Sequence, residues 1–326
     1  MALSRRGLGG ALASTAWAAC GRHELSLVRP VAHDAGDSAG GADVTVRAAW
    51  DRPRQRVSPF CGGLTLVHGS DPDVVAHPLY RANLEAMRPG VVRIFSGAML
   101  GDARAPGGGW VLDPAGPGYR WDRDKVARAL GGLGSLRSEL VITIPGWPDA
   151  LAPAGAALPA GSEAAFAAFC ADLVRAVNVE QGRKVRWFEL FHGRESLFSG
   201  RGGDFARLVR AAAVAMKAVD PTIAVGAAGF AHPYQDIIDE VITGAGDALD
   251  FLSFHAYATG DPALPLDQVF DRAADVAERV RVLATRASAF ATRNLGVMLS
   301  QWGLDWNQDP RVADARGATF DALTLI

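Results

Sequence analysis

The feature that most constrains this chain is an alternation of short apolar segments with longer amphipathic ones. Seven short segments are almost entirely apolar and read as buried strands: 60–67, 91–95, 139–144, 185–191, 222–226, 249–255 and 295–301. Seven longer segments carry apolar residues at helical spacing: 77–87, 122–136, 162–178, 204–219, 234–243, 266–292 and 312–326. Apolar strands that alternate with helices indicate a parallel sheet covered by helices.

This pattern predicts an α/β protein with a single barrel domain over residues 43–326. A chain of 326 residues, 49% of them hydrophobic, is large enough to bury the core of a TIM (β/α)8 barrel. A doubly wound open sheet is the weaker alternative, because Gly62-Gly63-Leu64-Thr65 does not match its phosphate-binding fingerprint. Only seven strands are visible, and an open barrel would expose two strand edges. We therefore expect a barrel that is truncated before its eighth strand.

The first twenty residues predict export. Arg5 and Arg6 precede an apolar run of small residues, as in a twin-arginine signal, and the run ends at Cys20 in a lipobox-like context. An ordinary secretory signal that happens to contain a cysteine is the alternative. Lipidation of Cys20 predicts a periplasmic or cell-envelope lipoprotein that contacts a membrane only through its lipid. The run is too short for a membrane-spanning helix.

Residues 21–42 are rich in Gly, Ala, Asp and Ser, which predicts a flexible tether, and 43–50 alternate like a short strand. Of the remaining cysteines, Cys61 and Cys170 fall inside predicted elements, so we expect buried thiols rather than a disulfide. No cluster of His, Cys and carboxylates has metal-ligand spacing, so neither a metal nor an organic cofactor is expected. With 33 basic and 35 acidic residues and no basic cluster, nucleic acid is not an expected partner.

Three segments at predicted strand ends carry a resemblance to a known family. Residues 186–195 read RWFELFHGRE, residues 250–257 read DFLSFHAY, and residues 297–303 read VMLSQWG. In this order they resemble strands 4, 6 and 7 of clan A retaining glycoside hydrolases, most closely family 39. Weaker similarity extends over most of 81–326. The resemblance implies a sugar-cleaving barrel whose active site lies at the carboxyl ends of the strands.

Both catalytic positions of that family are substituted in this chain. The family has WFELWNEP on strand 4, ending in the acid/base Glu, and LSEWG on strand 7, which contains the nucleophile Glu. Gly193 and Gln301 occupy those two positions. Retaining hydrolysis uses two carboxyl groups about 5 Å apart. An amide is a poor nucleophile and carries no charge to stabilise the transition state, and glycine supplies no side chain at all.

Other polar and aromatic residues fall at the same strand ends and are candidates for sugar binding: Arg93, His192, His255, Tyr257, Gln301 and Trp302. The resemblance implies that Arg93 orients the nucleophile, so here either another carboxylate neutralises Arg93 or the site favours an anionic sugar. The resemblance places His192 at the position of the family Asn, which contacts the sugar 2-hydroxyl. His255 and Tyr257 match strand 6, and Trp302 is either a stacking residue or part of the core.

Three carboxylates remain to be assigned. Glu195 is either a displaced catalytic acid, in a loop that Gly193 makes adaptable, or a surface residue that pairs with Arg194 or caps the next segment. Glu189 should point into the barrel and belong to a buried polar network, where it needs a partner. Asp305 reads as a loop or capping residue.

Two functions follow from these substitutions. One is a carbohydrate-binding, catalytically impaired relative of the glycoside hydrolases that holds an oligosaccharide or polysaccharide. A structural subunit of a polysaccharide assembly machine would have the same sequence features as this first function. The other is an active retaining glycosidase, with Glu195 as displaced acid/base and an unidentified nucleophile.

Overall fold

The computed structural model describes residues 12–18, 62–66, 74, 76–94, 110–112, 119–134, 136–148, 151–153, 155–231, 235–290, 295–307, 310–313 and 315–325. Cys20, the predicted tether, the predicted strand at 43–50 and Cys61 lie outside these residues. Cys170 is inside them and is buried, as expected, and burial raises the pKa of its thiol.

Eight strands of the described residues form a barrel, and two more form a hairpin beside it. The barrel strands are β1 (Leu12–Ala18), β2 (Gly63–Leu66), β3 (Val91–Ile94), β6 (Glu139–Ile144), β7 (Trp187–Leu190), β8 (Ala224–Phe230), β9 (Phe251–Thr259) and β10 (Gly296–Asp305). The hairpin strands are β4 (Trp110–Leu112) and β5 (Tyr119–Trp121). The sequence analysis did not predict this hairpin.

Seven of the barrel strands are parallel and follow one another around the barrel in chain order from β2 to β10. This order never reverses, so the fold is a TIM barrel and not a doubly wound sheet. Between β10 and β2 the described residues contain no eighth parallel strand, as the sequence predicted. β1 pairs antiparallel with both of these strands in that position. β1 belongs to the predicted export signal, and removal of that signal stays a prediction.

Helices cover the outside of the barrel. They are α1 (Pro78–Met87), α2 (Arg123–Gly132), α3 (Glu163–Val174), α4 (Gly202–Val219), α5 (Gln235–Ala245), α6 (Leu266–Asp271), α7 (Ala273–Phe290) and α8 (Ala315–Leu325). Two 3-10 helices, Glu195–Phe198 and Pro310–Ala313, and a π-helix that continues α3, Arg175–Glu180, complete the described elements. The α2 helix begins at Asp122, whose carboxylate accepts hydrogen bonds from the amides of Asp124 and Lys125.

The helix predicted over 266–292 is in fact two helices that are separated at Arg272. The amide of Arg272 donates to the Val269 carbonyl at 3.2 Å, which tightens the last turn of α6. Its guanidinium donates to the Ala258 carbonyl at 2.6 Å and ties this break to the end of β9. A long-range bond of this kind leaves no mark in the periodicity of the sequence.

Strands β8, β9 and β10 each extend four residues further than predicted, to 230, 259 and 305. The apolar runs end earlier because polar residues and glycines take over at the barrel mouth. The backbone of β9 and β10 stays extended there because the two strands remain paired as far as Thr259 of β9 and Asp305 of β10. Tyr257 and Asp305 lie in these extensions.

The barrel has two separate apolar cores. A small plug fills the amino-terminal half of the barrel interior, and it consists of Val91, Val141, Trp187, Ala224, Phe251 and Met298. A much larger core lies between the strands and the helices. Gly226 is required beside the plug, because a Cβ there would lie 2.1 Å from the Phe251 ring. The interior above the plug is polar.

Candidate functional site

Strands β9 and β10 direct polar side chains into the barrel mouth above the plug. Phe251 belongs to the plug, and side chains alternate along a strand, so His255 and Tyr257 face the barrel axis as well. His255 lies opposite Gln301 in the parallel register, which places Gln301 on the same face. The strand ends therefore bring these three predicted site residues together.

Arg93 and Glu189 form a fully buried ion pair in the barrel interior. Arg93 Nε donates to Glu189 Oε2 at 2.7 Å, and the Thr143 hydroxyl donates to the same oxygen at 2.6 Å. The partner that Glu189 required is thus Arg93. The sequence left two alternatives for Arg93, which were neutralisation by another carboxylate and a preference for an anionic sugar. The structure shows the first, because the carboxylate of Glu189 balances the charge of Arg93.

His192 lies beside this ion pair at the end of β7. Its Nδ1 is 3.2 Å from Arg93 Nη2, and because a guanidinium can only donate, Nδ1 accepts and the ring proton is assigned to Nε2. Burial, followed by the nearby charges of His255, Arg93 and Arg194, lowers the pKa of His192 well below its usual value. The rings of His192 and His255 lie 4.5 Å apart. His192 is therefore a neutral hydrogen-bonding group at neutral pH.

Gln301 is hydrogen-bonded to Tyr257. The Tyr257 hydroxyl donates to Gln301 Oε1 at 3.1 Å, and Gln301 is 6% exposed. Burial raises the pKa of Tyr257, so its hydroxyl keeps the proton that it donates. This bond orients the amide, so the two side chains form a neutral hydrogen-bonded pair.

Gly193 has a backbone that favours glycine. Its φ is +60°, and a Cβ at this position would lie 3.1 Å from the Ala231 side chain. The amide of Gly193 donates to the Gly229 carbonyl at 2.9 Å and fixes this turn to the end of β8. Residue 193 therefore contributes a turn but no side chain at this strand end.

Glu195 begins a 3-10 helix directly after this turn, and its side chain is fully buried. The interpretation of Glu195 as a surface carboxylate is therefore wrong. Arg194 donates from Nε to the Pro145 carbonyl at 3.2 Å and lies over the Trp147 ring. A carboxyl group without accessible surface reaches a ligand only if this helix moves, so the role of displaced acid stays a prediction that requires such a change.

Trp302 faces the outer core and not the mouth. Met298 belongs to the interior plug, and strict alternation would also turn residue 302 inward, but the pairing with β9 is irregular between Leu299 and Gln301. This irregularity turns Gln301 inward and Trp302 outward, where it packs in the core at 2% exposure. Of the two readings of Trp302, the structure supports a core residue.

The end of β10 carries one predicted residue and one that the sequence did not single out. Asp305 is the last residue of β10, and its carboxylate accepts a hydrogen bond from the amide of Asn307, so it caps the following turn as expected. Trp306, the next residue, is 63% exposed. Its position five residues after Gln301 is the only signal that could have drawn attention to it.

Two further features are absent from the described residues. No group of three or more His, Cys, Asp or Glu side chains in that part of the chain is arranged to hold a metal ion. None of its helices is long and apolar enough to cross a membrane.

Comparison with known proteins gives a fold but no close relative. No protein-family model and no curated protein matches the chain. Among solved structures, the GH39 enzyme from Xanthomonas axonopodis pv. citri is similar, with 17% identity and a TM-score of 0.52 over 75% of this chain and 50% of that one. A GH39 beta-xylosidase from Caulobacter crescentus aligns with 15% identity and a TM-score of 0.51, over 75% of this chain and 53% of that one. This chain shares a TIM-barrel fold with both enzymes. It spans about half the length of the two enzymes, and at these identities the likeness concerns the fold alone.

Proposed function

We propose that this glycosidase barrel binds carbohydrate and has lost most or all hydrolytic activity. The observation that carries the proposal is the state of the two positions that hold the catalytic carboxylates in family 39. Gln301 is a neutral amide oriented by Tyr257, and Gly193 has a backbone that favours glycine, with Ala231 close to where a side chain would begin. Neither position provides the charge or the proton that retaining hydrolysis needs.

The binding part of the proposal rests on the polar groups that remain. His192, His255, Tyr257 and Gln301 lie at one barrel mouth, and the Arg93–Glu189 pair supports them from below. Neutral donors and acceptors suit sugar hydroxyl groups, which also donate and accept. Because Glu189 neutralises Arg93, a neutral sugar fits this site better than an anionic one.

Hydrolysis by a displaced acid remains the competing function. It requires Glu195 to leave its buried position and a second carboxylate to act as nucleophile. Glu189 already forms an ion pair with Arg93 beneath the mouth. The competing function therefore needs Glu195 to move and a further carboxylate to act as nucleophile.

Replacing Gln301 by alanine should weaken binding of a cognate oligosaccharide about tenfold, because it removes a ligand amide and leaves the Tyr257 hydroxyl without its acceptor. Titration calorimetry of the full chain with cellohexaose, xylohexaose and arabinohexaose measures this change. Gln181→Ala is the matched control, since Gln181 follows the π-helix and hydrogen-bonds to the Arg123 carbonyl outside the barrel. The proposal fails if none of the three sugars binds the wild type at millimolar concentration.

We also propose that the chain is an exported envelope lipoprotein, on the basis of Arg5, Arg6 and Cys20. Stable anchoring takes more than one acyl chain, and Cys20 is the residue that would carry them. Cys20→Ser should move the protein from the membrane fraction to the soluble periplasmic fraction after cell lysis and centrifugation. Unchanged membrane association of this variant would refute the lipidation of Cys20.

A further inference from the structure

We propose that Trp306 is a stacking surface for a second sugar ring, so that the barrel binds a glycan extending out of its mouth. This inference rests on the proposed carbohydrate binding and adds a second site beyond the residues around Gln301. Trp306 follows the last residue of β10, at the carboxyl end of the barrel, and is 63% exposed.

The exposure of Trp306 sets it apart from the rest of the surface. Among the side chains that the structure describes, it is the one exposed large aromatic residue. The other exposed large apolar side chains are aliphatic and lie on outer helices: Leu79, Met87, Val179 and Val214. Leaving an indole in water forgoes a large hydrophobic gain, so its place at a ligand-binding face indicates a contact made on binding.

The indole of Trp306 is held against the backbone of the neighbouring loop. A Cβ at Gly260 would lie 2.2 Å from Trp306 Nε1, so the ring occupies space that any other residue at 260 would need. The amide of Trp306 donates to the Thr259 carbonyl at 3.3 Å, and Asn307 Nδ2 donates to the Gly260 carbonyl at 3.3 Å. An aromatic ring fixed before binding loses little conformational entropy when a ligand arrives.

The position of Trp306 suits a glycan more than a single sugar. Asp305 lies four residues further along the extended strand than Gln301, a rise of roughly 13 Å. A short sugar in contact with Gln301 would not cover Trp306, whereas a longer chain leaving the mouth along β10 would cross it. Sugar rings present an apolar C–H face that packs on an indole, and this contact requires no charge.

The test compares sugars of two lengths on the full chain by titration calorimetry. The probes are cellohexaose and xylohexaose, set against cellobiose and xylobiose. Trp306→Ala should raise the Kd of the bound hexasaccharide about 10-fold and leave that of the disaccharide within about 2-fold. Trp306→Phe should lose less, because a smaller ring remains. Val179→Ala, at a similarly exposed site on the π-helix, should bind both lengths like the wild type.

Gly260→Ala provides a second, independent variant. It keeps the indole but displaces it, so the hexasaccharide should again bind less tightly than to the wild type. If Trp306→Ala binds the hexasaccharide as tightly as the wild type, or weakens the disaccharide equally, the second sugar site is wrong while the pocket at Gln301 stands. If the wild type binds none of these four sugars and no arabinohexaose, both the binding at Gln301 and the second site are refuted.

Discussion

Replacement of Glu189 by alanine is expected to lower the free energy of unfolding by about 3–5 kcal/mol. Glu189 and Arg93 have no accessible surface, and removing the carboxylate leaves the guanidinium charge buried without its counter-ion. Thr143 also loses its acceptor at 2.6 Å. Urea denaturation followed by circular dichroism measures the loss.

Two further variants identify the cause of this loss. Glu85→Ala removes a carboxylate of the α1 helix that pairs with Arg81, and both of those side chains are nearly half exposed, so the change should be about 0.5 kcal/mol or less. The double variant Arg93→Met with Glu189→Leu removes both charges and should recover most of the stability. A loss of less than about 1 kcal/mol for Glu189→Ala would mean that the pair is not buried in solution.

The full chain is expected to hydrolyse activated aryl glycosides at least ~10³-fold more slowly than a family 39 enzyme under the same conditions, in line with the loss of a catalytic group. Gln301 cannot form a glycosyl ester as a carboxylate does, and Gly193 cannot protonate a leaving oxygen. The Caulobacter crescentus beta-xylosidase is a suitable reference with an aryl β-xyloside, because the two proteins share a fold at a TM-score of 0.51. Initial rates at equal protein concentration give the ratio.

Glu195→Gln separates the two proposed functions in this assay. With binding alone, the variant and the wild type share the same residual rate, because Glu195 is buried and does not take part. Turnover by the wild type near the rate of the reference enzyme, abolished in Glu195→Gln, would establish Glu195 as a displaced acid. That result would also require the 3-10 helix Glu195–Phe198 to open.

The sequence predicted the barrel because its parallel strands are short, apolar and separated by amphipathic helices. It underestimated the carboxyl ends of β8, β9 and β10, where glycine and polar residues interrupt the apolar runs. Pairing with neighbouring strands keeps those ends extended, and such pairing involves residues far apart in the chain. The break at Arg272 likewise depends on a hydrogen bond to the Ala258 carbonyl, outside the predicted helix.

The candidate site was predictable to the extent that it follows strand alternation. Alternation and the family resemblance together predicted that Glu189 lies inside the barrel, and the structure pairs it there with Arg93. The orientation of Trp302 was not predictable, because it depends on an irregularity in the pairing of β9 and β10 just before Gln301. The burial of Glu195 depends on the turn at Gly193 and on the helix that follows, neither of which has a periodic signal.

We propose that the barrel mouth holds a sugar that it does not cut. The most direct measurement is to incubate the full chain with a saturating concentration of the hexasaccharide that it binds and to follow the length of that sugar over time by mass spectrometry. The sugar is expected to remain an intact hexasaccharide. Shorter products formed at a rate near that of the reference xylosidase, or no binding of any hexasaccharide at millimolar concentration in calorimetry, would contradict the proposal.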